Sequence, residues 1–245
     1  MDKSEYLRIY QFETSYWWYR TLHELVDNTI RNNKPEGEIV VLDAGCGTGR
    51  MMEICQKYGT VRGIDYSPYA VYFARERGLK NVETGDLNNY PLENNTYDVV
   101  VCLDVLYHSA LENDRAVIEK FYHTLKKGGM LIIDLPAFES LRRSHDIVVH
   151  TKKRYRKKAL EKDLKEIGFT LMKSSYRLAL LYFIILVVKL FQPKSQTMES
   201  KSDLKELPVW INTLLLNYGR LENWCIKQGF GFPVGSSLFA VAKKR

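Results

Sequence analysis

From Glu38 onward, short apolar segments alternate with helix-patterned ones, and this alternation constrains the fold more than any other feature of the chain. EIVVLDAG reads as a strand running into a glycine turn, and GRMMEICQKYG as the helix after it. TVRGID, NVETGD, YDVVVCLDV and GMLIIDLP read as four further strands. Helices are expected from Pro68 to about Arg77 and across NDRAVIEKFYHTLKKGG, whose two terminal glycines suit a left-handed cap. YDVVVCLDV is apolar enough for a strand covered on both faces. RKKALEKDLKEIGF adds a helix, FTLMKSSY a sixth strand and SSLFAVAKK a seventh. The pattern predicts an α/β fold with a doubly wound, mostly parallel, seven-stranded sheet.

About sixty residues between the sixth and seventh strands are not needed by such a sheet. They hold LALLYFIILVVKLF (Leu178 to Phe191), a polar linker from Gln192 to Asp203, and a second apolar helical region, LPVWINTLLLNYGRLENW. A membrane-spanning helix needs about twenty apolar residues. This run offers fourteen, carries Lys189, and stops at Gln192-Pro193. We therefore expect a helical insertion, its two apolar helices covering each other as a lid or side wall over the substrate face. The division expected is a helical cap over 1–37, a core over 38–176, the insertion over 177–235 and a last core strand over 236–245.

Composition excludes more than it selects. The cysteines Cys46, Cys55, Cys102 and Cys225 lack CxxC spacing, so reduced thiols and no structural metal site are expected. MDKSEYLRIY is polar and leads into no long apolar run, so it does not read as a secretory signal. The net charge of +7 permits anionic partners without choosing one.

VLDAGCGTGR places Gly45, Gly47 and Gly49 between a strand and a helix. Glycines there allow a tight turn and close approach of a ligand to free helix N–H groups. A dinucleotide fingerprint would put a glycine where Arg50 stands. Asp43 precedes the loop. Asp65 closes the second strand, where a carboxylate can accept both ribose hydroxyls, and Asp86 closes the third.

At these residues the chain resembles the class I S-adenosylmethionine-dependent methyltransferases, whose fold is a Rossmann-like sheet. DAGCGTG, GIDYS, GDLNNYPLENNTYDVVVCLDVLYH and LKKGGMLIIDLP match that family in order and spacing over about residues 38 to 136. The resemblance implies S-adenosyl-L-methionine as cofactor. Its amino-acid half would lie on the loop of Asp43, Gly45, Cys46, Gly47 and Gly49, its ribose on Asp65 beside Tyr66, and its adenine by Asp86 and Leu87, with Leu103 also in the site.

Two further signatures resemble a subset of the family. SYWWYR matches an HWWFR-like segment, with Ser15-Tyr16 where a histidine often stands, and makes Tyr19 and Arg20 candidates for holding the cofactor. SHDIVVHTKKRY matches an HD…HxxRRY-like pattern at His145, Asp146, His150, Arg154 and Tyr155. His108, in DVLYH, lies where an acceptor would approach, so His108, His150 and His145 are the candidate general bases. TKKRYRKK puts six basic residues in eight positions, either the solvated start of a helix or an anion-binding or lipid-surface patch.

The reading with most support is a methyltransferase for a small or lipophilic metabolite, oxygen being slightly favoured as acceptor. LDVLY replaces the NPPY-like motif of many base-modifying enzymes, so nucleic acid is disfavoured as a partner. An RNA or protein methyltransferase and a non-catalytic binding protein are the alternatives. A monomer or homodimer in the cytoplasm is expected, with peripheral membrane contact left open.

Overall fold

The structure, a computed structural model, describes residues 3–191 and 206–245. Its centre is one seven-stranded sheet, in the order β3-β2-β1-β4-β5-β7-β6. The strands are β1 (Ile39–Ala44), β2 (Gly59–Asp65), β3 (Val82–Thr84), β4 (Tyr97–Leu103), β5 (Leu125–Pro136), β6 (Phe169–Arg177) and β7 (Ser237–Lys244). All neighbouring pairs are parallel except those made by β7, which runs antiparallel between β5 and β6.

Alternating side chains of the inner strands enter two separate cores, as a sheet covered on both faces requires. Val41, Val99, Ile132 and Val241 face one layer. There they meet Leu22, Leu25 and Val26 of α2 (Trp17–Asn33), Met51 and Met52 of α3 (Arg50–Cys55), and Val71 and Ala74 of α4 (Pro68–Glu76). Leu42, Val100, Leu131 and Ala240 face the other. Their partners include Val117 and Phe121 of α5 (Asp114–Thr124) and Leu160 and Leu164 of α7 (Lys157–Ile167). α1 (Lys3–Phe12) lies on α4 through Tyr6, Ala70 and Phe73.

Two local expectations are corrected, and one short element is added. α5 stops at Thr124, and LKKGG opens β5 instead of ending the helix. Gly128 takes its positive φ (+78°) inside a register shift, where Leu125 pairs with Tyr97 and Met130 with Val99. The glycines thus serve a bulge, not a helix cap. The third strand shrinks to three residues at the sheet's end. SHDIVV contains a short helix, α6 (Ser144–Val148).

The insertion also departs from expectation. α8 (Ala179–Phe191) and α9 (Val209–Lys227) do not cover each other along their lengths. α9 lies along α2: Asn223 Nδ2 donates to the Thr21 carbonyl at 2.7 Å, and the Trp17 N–H donates to Asn212 Oδ1 at 2.9 Å. Arg220 pairs with Glu24 through two hydrogen bonds of 2.8 and 2.6 Å. A side chain at Gly219 would fall 2.6 Å from Thr21 Cγ2, so only glycine permits this approach. α8 packs Tyr182, Ile185 and Leu186 on the core and leaves Leu180, Phe183, Ile184, Val187 and Val188 exposed. Among the described residues, no helix is long and apolar enough to cross a membrane. The polar linker from Gln192 to Asp203 lies outside the described residues.

Candidate functional site

The carboxyl ends of β1, β2 and β4 open into one cavity of about 980 Å³, roofed by α1, the start of α2, the 143–154 segment and α8. Its floor is the turn after β1. Gly45, Gly47 and Gly49 all have positive φ, and Gly45 presses against Val105 so closely that a Cβ there would stand 2.1 Å from Val105 Cγ2. Gly49 is the N-cap of α3 in the left-handed region, packed on Leu79 and Ala74. It does not line the cavity; its part is to turn the chain.

Asp65 holds the loop in shape. Its Oδ2 accepts the Gly47 N–H at 2.9 Å and its Oδ1 the Ser67 N–H at 2.8 Å. Burial raises its proton affinity, and these two backbone bonds oppose that. Asp43 lies deeper. Burial, then the charges of Asp65 and Glu13, push its carboxyl up to about 8, and its Oδ2 has no hydrogen-bond partner. Cys46 is buried and its thiol pushed up by burial and nearby carboxylates, so it lines the site as a protonated, unreactive group.

Asp86, Leu87, Tyr66 and Leu103 line the same cavity. Asp86 Oδ1 accepts both the backbone and the side-chain N–H groups of Asn88, at 2.9 and 2.8 Å, which sets the turn after β3. The N-terminal segment is tied to the loop by Glu13, which accepts from the Thr48 hydroxyl and from Arg77. Arg77 donates from Nε to the Thr48 carbonyl at 2.8 Å. Sequence reasoning missed this buried link, because it joins three segments far apart in the chain.

The aromatic segment divides. Tyr19 lines the cavity and burial drives its hydroxyl well above the ordinary range. Arg20 does not line it; its guanidinium faces Glu24 at 3.9 Å, one helical turn away. The expectation that Arg20 holds the cofactor carboxylate finds no geometric support, since α2 turns it away from the cavity. His23, which the motif did not point to, lines the cavity in its neutral form, its pKa lowered to about 3 by burial.

The far half of the cavity brings His108, His145 and His150 together. The His108 and His150 rings stand 5.5 Å apart. Burial, then His150, lowers the His108 pKa. His108 Nδ1 accepts the Ala110 N–H at 3.1 Å, so in the neutral ring the proton sits on Nε2. The histidine segment is held by a buried ion pair: Arg154 Nε and Nη2 donate to the two oxygens of Asp146 at 2.8 and 3.0 Å. Burial pulls Asp146 up, but Arg154 outweighs it and holds the carboxyl below its usual range.

The basic run is committed to the fold. Lys152 donates to the Glu112 carbonyl at 2.9 Å, Lys153 pairs with Asp114 at 2.7 Å, and Arg154 pairs with Asp146. Arg156 lies over the Phe138 ring. TKKRYRKK is therefore mostly structural cement, and the anion-patch reading loses most of its charge.

Asp104 was not singled out from the sequence. It follows β4 with a positive φ of 56°, uncommon for a side chain larger than glycine, and lines the cavity. No described residue hydrogen-bonds its carboxyl, and burial, then Asp134, pushes its pKa well above the carboxylate range. Tyr107, also on the cavity wall, is its electrostatic neighbour.

Comparison with known proteins agrees with this architecture. Residues 42–133 match the family model described as a methyltransferase domain. A tRNA U34 carboxymethyltransferase of Helicobacter acinonychis is 32% identical over 143 residues, covering 52% of this chain and 51% of that protein. A ubiquinone biosynthesis O-methyltransferase of Xylella fastidiosa is 29% identical over 137 residues, covering 49% of this chain and 54% of that one. The chain thus spans about half the length of each of these relatives. A Thermotoga maritima S-adenosylmethionine-dependent methyltransferase has the same fold, with a TM-score of 0.61 at 19% identity, covering 99% of this chain and 96% of that one. Residues 42–133 are thus similar to methyltransferase domains, and the chain has the fold of S-adenosylmethionine-dependent methyltransferases. The expectation that nucleic acid is disfavoured is overturned, because tRNA-modifying proteins stand among the relatives at the same level of similarity as a small-molecule enzyme.

Proposed function

We propose that the chain transfers a methyl group from S-adenosyl-L-methionine to a small acceptor that is apolar near the methylated atom, oxygen being favoured. One observation carries this reading. The glycine loop, Asp65 and Asp86 share a single cavity with Asp104, Tyr107, His108 and the inward residues Leu181 and Ile185 of α8. The loop half fits the cofactor: Asp43 keeps a buried acceptor atom without a partner, and nothing within 4 Å fills the space over Gly47.

S-adenosylmethionine, when bound, supplies a methyl group on a sulfonium centre that leaves readily. The chain's own tasks are then to position, to exclude water and to hold a proton. Asp65 would accept the ribose hydroxyls with the lone pairs its two backbone bonds leave over. Asp86 and Leu87 would flank the adenine, and Asp43 would sit beneath the amino-acid end. Asp104, whose surroundings raise its proton affinity, would receive the proton of a hydroxyl acceptor once it has itself ionised. His108 Nε2 carries its proton and would serve as a hydrogen-bond donor.

An RNA acceptor is the second reading, favoured by the tRNA-modifying relatives. Release of S-adenosylhomocysteine, measured against phenolic small molecules and against unmodified tRNA, separates the two. Calorimetry with S-adenosylmethionine tests their shared premise: no binding at millimolar concentration would leave only a non-catalytic role.

A further inference from the structure

A second pocket, of about 340 Å³, lies between the C-terminal half of α2, the end of α9 and the outer strands β6 and β7. It shares no lining residue with the large cavity. Lys173 and Lys227 both line it, and neither makes a hydrogen bond or ion pair among the described residues. Lys173 stands on the sheet's edge strand just after a register shift, the kind of irregularity that re-aims a side chain. Burial, then the charge of Lys227, lowers its affinity for a proton, so the two ammonium groups face a shared site without an acid between them. The acid in the pocket wall, Glu24, is already engaged by Arg220.

Two more observations narrow the ligand. Asn223 is 9% exposed, lines the pocket, and has an amide oxygen with no partner, while its amide nitrogen is spent on Thr21. Trp224, beside it, also lines the pocket and is left 56% exposed. A bare phosphate would answer the lysines and leave the indole and the amide oxygen unused. A purely apolar ligand would leave both charges stranded. A phosphate joined to a flat ring bearing N–H or O–H groups answers all of them.

We propose that this pocket binds a nucleotide unit, with phosphate on Lys173 and Lys227, the base stacked on Trp224, and a base or sugar donor on Asn223 Oδ1. Lysine contacts to phosphate and stacking on aromatic rings are the two general means of holding single-stranded nucleic acid. A free mononucleotide and one residue of an RNA strand present the same chemistry here.

The test uses the full chain, with AMP in calorimetry and a fluorescein-labelled uridine oligonucleotide in polarisation. Binding of the oligonucleotide alone identifies a strand as the source, and binding of AMP as well identifies a free nucleotide; either supports the site. The Lys173→Ala/Lys227→Ala variant should weaken oligonucleotide binding by about tenfold or more. It should also lower the slope of log affinity against log salt by ~1.4, at ~0.7 for each lysine–phosphate pair removed. Trp224→Ala should weaken binding about tenfold with the salt slope unchanged. Leu221→Ala, the exposed apolar neighbour on α9, should change nothing. Absence of binding by both probes at millimolar AMP and high micromolar oligonucleotide overturns the proposal, as does parental affinity in the lysine and tryptophan variants. S-adenosylmethionine affinity, read in parallel, reports that each variant is folded.

Discussion

Glu222 caps a helix to which it does not belong: its two oxygens accept the N–H groups of Leu178 and Ala179, at the start of α8, at 2.6 and 2.8 Å. Tyr218 completes the arrangement, its hydroxyl donating to Glu222 and accepting the Leu180 N–H at 2.8 Å. A carboxylate from α9 thus satisfies the unpaired donors of the first turn of α8 and opposes that helix's dipole. Glu222 is 4% exposed, so the cap is shielded from solvent. Since α8 is also the apolar wall of the cavity, one carboxylate sets where that wall begins.

Glu222→Ala should therefore destabilise the chain by about 2–3 kcal/mol, the worth of hydrogen bonds to a buried charged acceptor. Glu222→Gln should lose less, since it keeps one acceptor oxygen. Urea unfolding measures both, and hydrogen exchange should show the α8 amides opening first. Parental protection of α8 in the alanine variant would refute the capping role.

Asp65→Ala should reduce S-adenosylmethionine affinity by more than a hundredfold, because it removes the proposed ribose acceptor and frees the Gly47 N–H that shapes the loop. Asp65→Asn keeps one acceptor and should fall between. Calorimetry reads both, and affinity within twofold of the parent in the alanine variant would place the ribose elsewhere.

The glycine loop, the strand-end acids and the sheet were legible from sequence because each depends on neighbours within a few residues. A strand ending in Asp65 or a turn rich in glycine carries its own signal. Glu13 clasping Thr48 and Arg77, and Glu222 capping α8, depend on chain segments tens of residues apart, and no local pattern announces them. Asp104 was hidden differently: its left-handed backbone and missing partner are properties of the folded cavity alone. Arg20 shows the converse error, where a motif was legible but the helix phase that turns it toward Glu24 was not. The mutual cover expected of α8 and α9 failed because Gly219 and Asn223 fit α9 to α2 instead.

Asp43 predicts a pH dependence with a definite sign. Its pKa in the folded state is about 8, against an ordinary carboxyl near ~3.9 when unfolded. The folded state therefore binds the extra proton between those values. The stability this confers is complete below pH ~4 and is lost as pH rises toward 8, with a slope of up to ~1.4 kcal/mol per pH unit. Asp43→Asn removes that loss, so the variant should gain stability relative to the parent from pH 5 to pH 8. Thermal unfolding of both proteins across that range checks it, and a constant difference would contradict the assignment.

Asp146→Ala leaves Arg154 buried without its partner and should cost about 3–5 kcal/mol. If the histidine segment positions the acceptor, Arg154→Lys is the sharper variant: it keeps the charge and loses the paired geometry. It should raise KM for the acceptor several-fold and leave S-adenosylmethionine affinity unchanged. An equal loss of both affinities would indicate general loosening of the fold instead.

Asp104 and His108 compete for the role of proton acceptor, and their hydrogen bonds decide between them. His108 spends Nδ1 on the Ala110 N–H, so its other nitrogen is already protonated. Asp104 has no such commitment, and burial and Asp134 raise its proton affinity, so it acts as the base only in its ionised form, which rising pH populates. Asp104→Asn should lower kcat by about a hundredfold or more on a hydroxyl acceptor, with cofactor affinity within twofold. His108→Ala should spare cofactor binding and slow transfer less. His108→Gln can still accept the Ala110 N–H and should recover part of that loss. The solvent pH profile adds a readout that structure alone would not move: the rate should lose its ascending limb in Asp104→Asn and keep it in His108→Gln. A reversed order, with His108 carrying the larger loss and the ascending limb, would return the base to the histidine and leave Asp104 as a neutral donor.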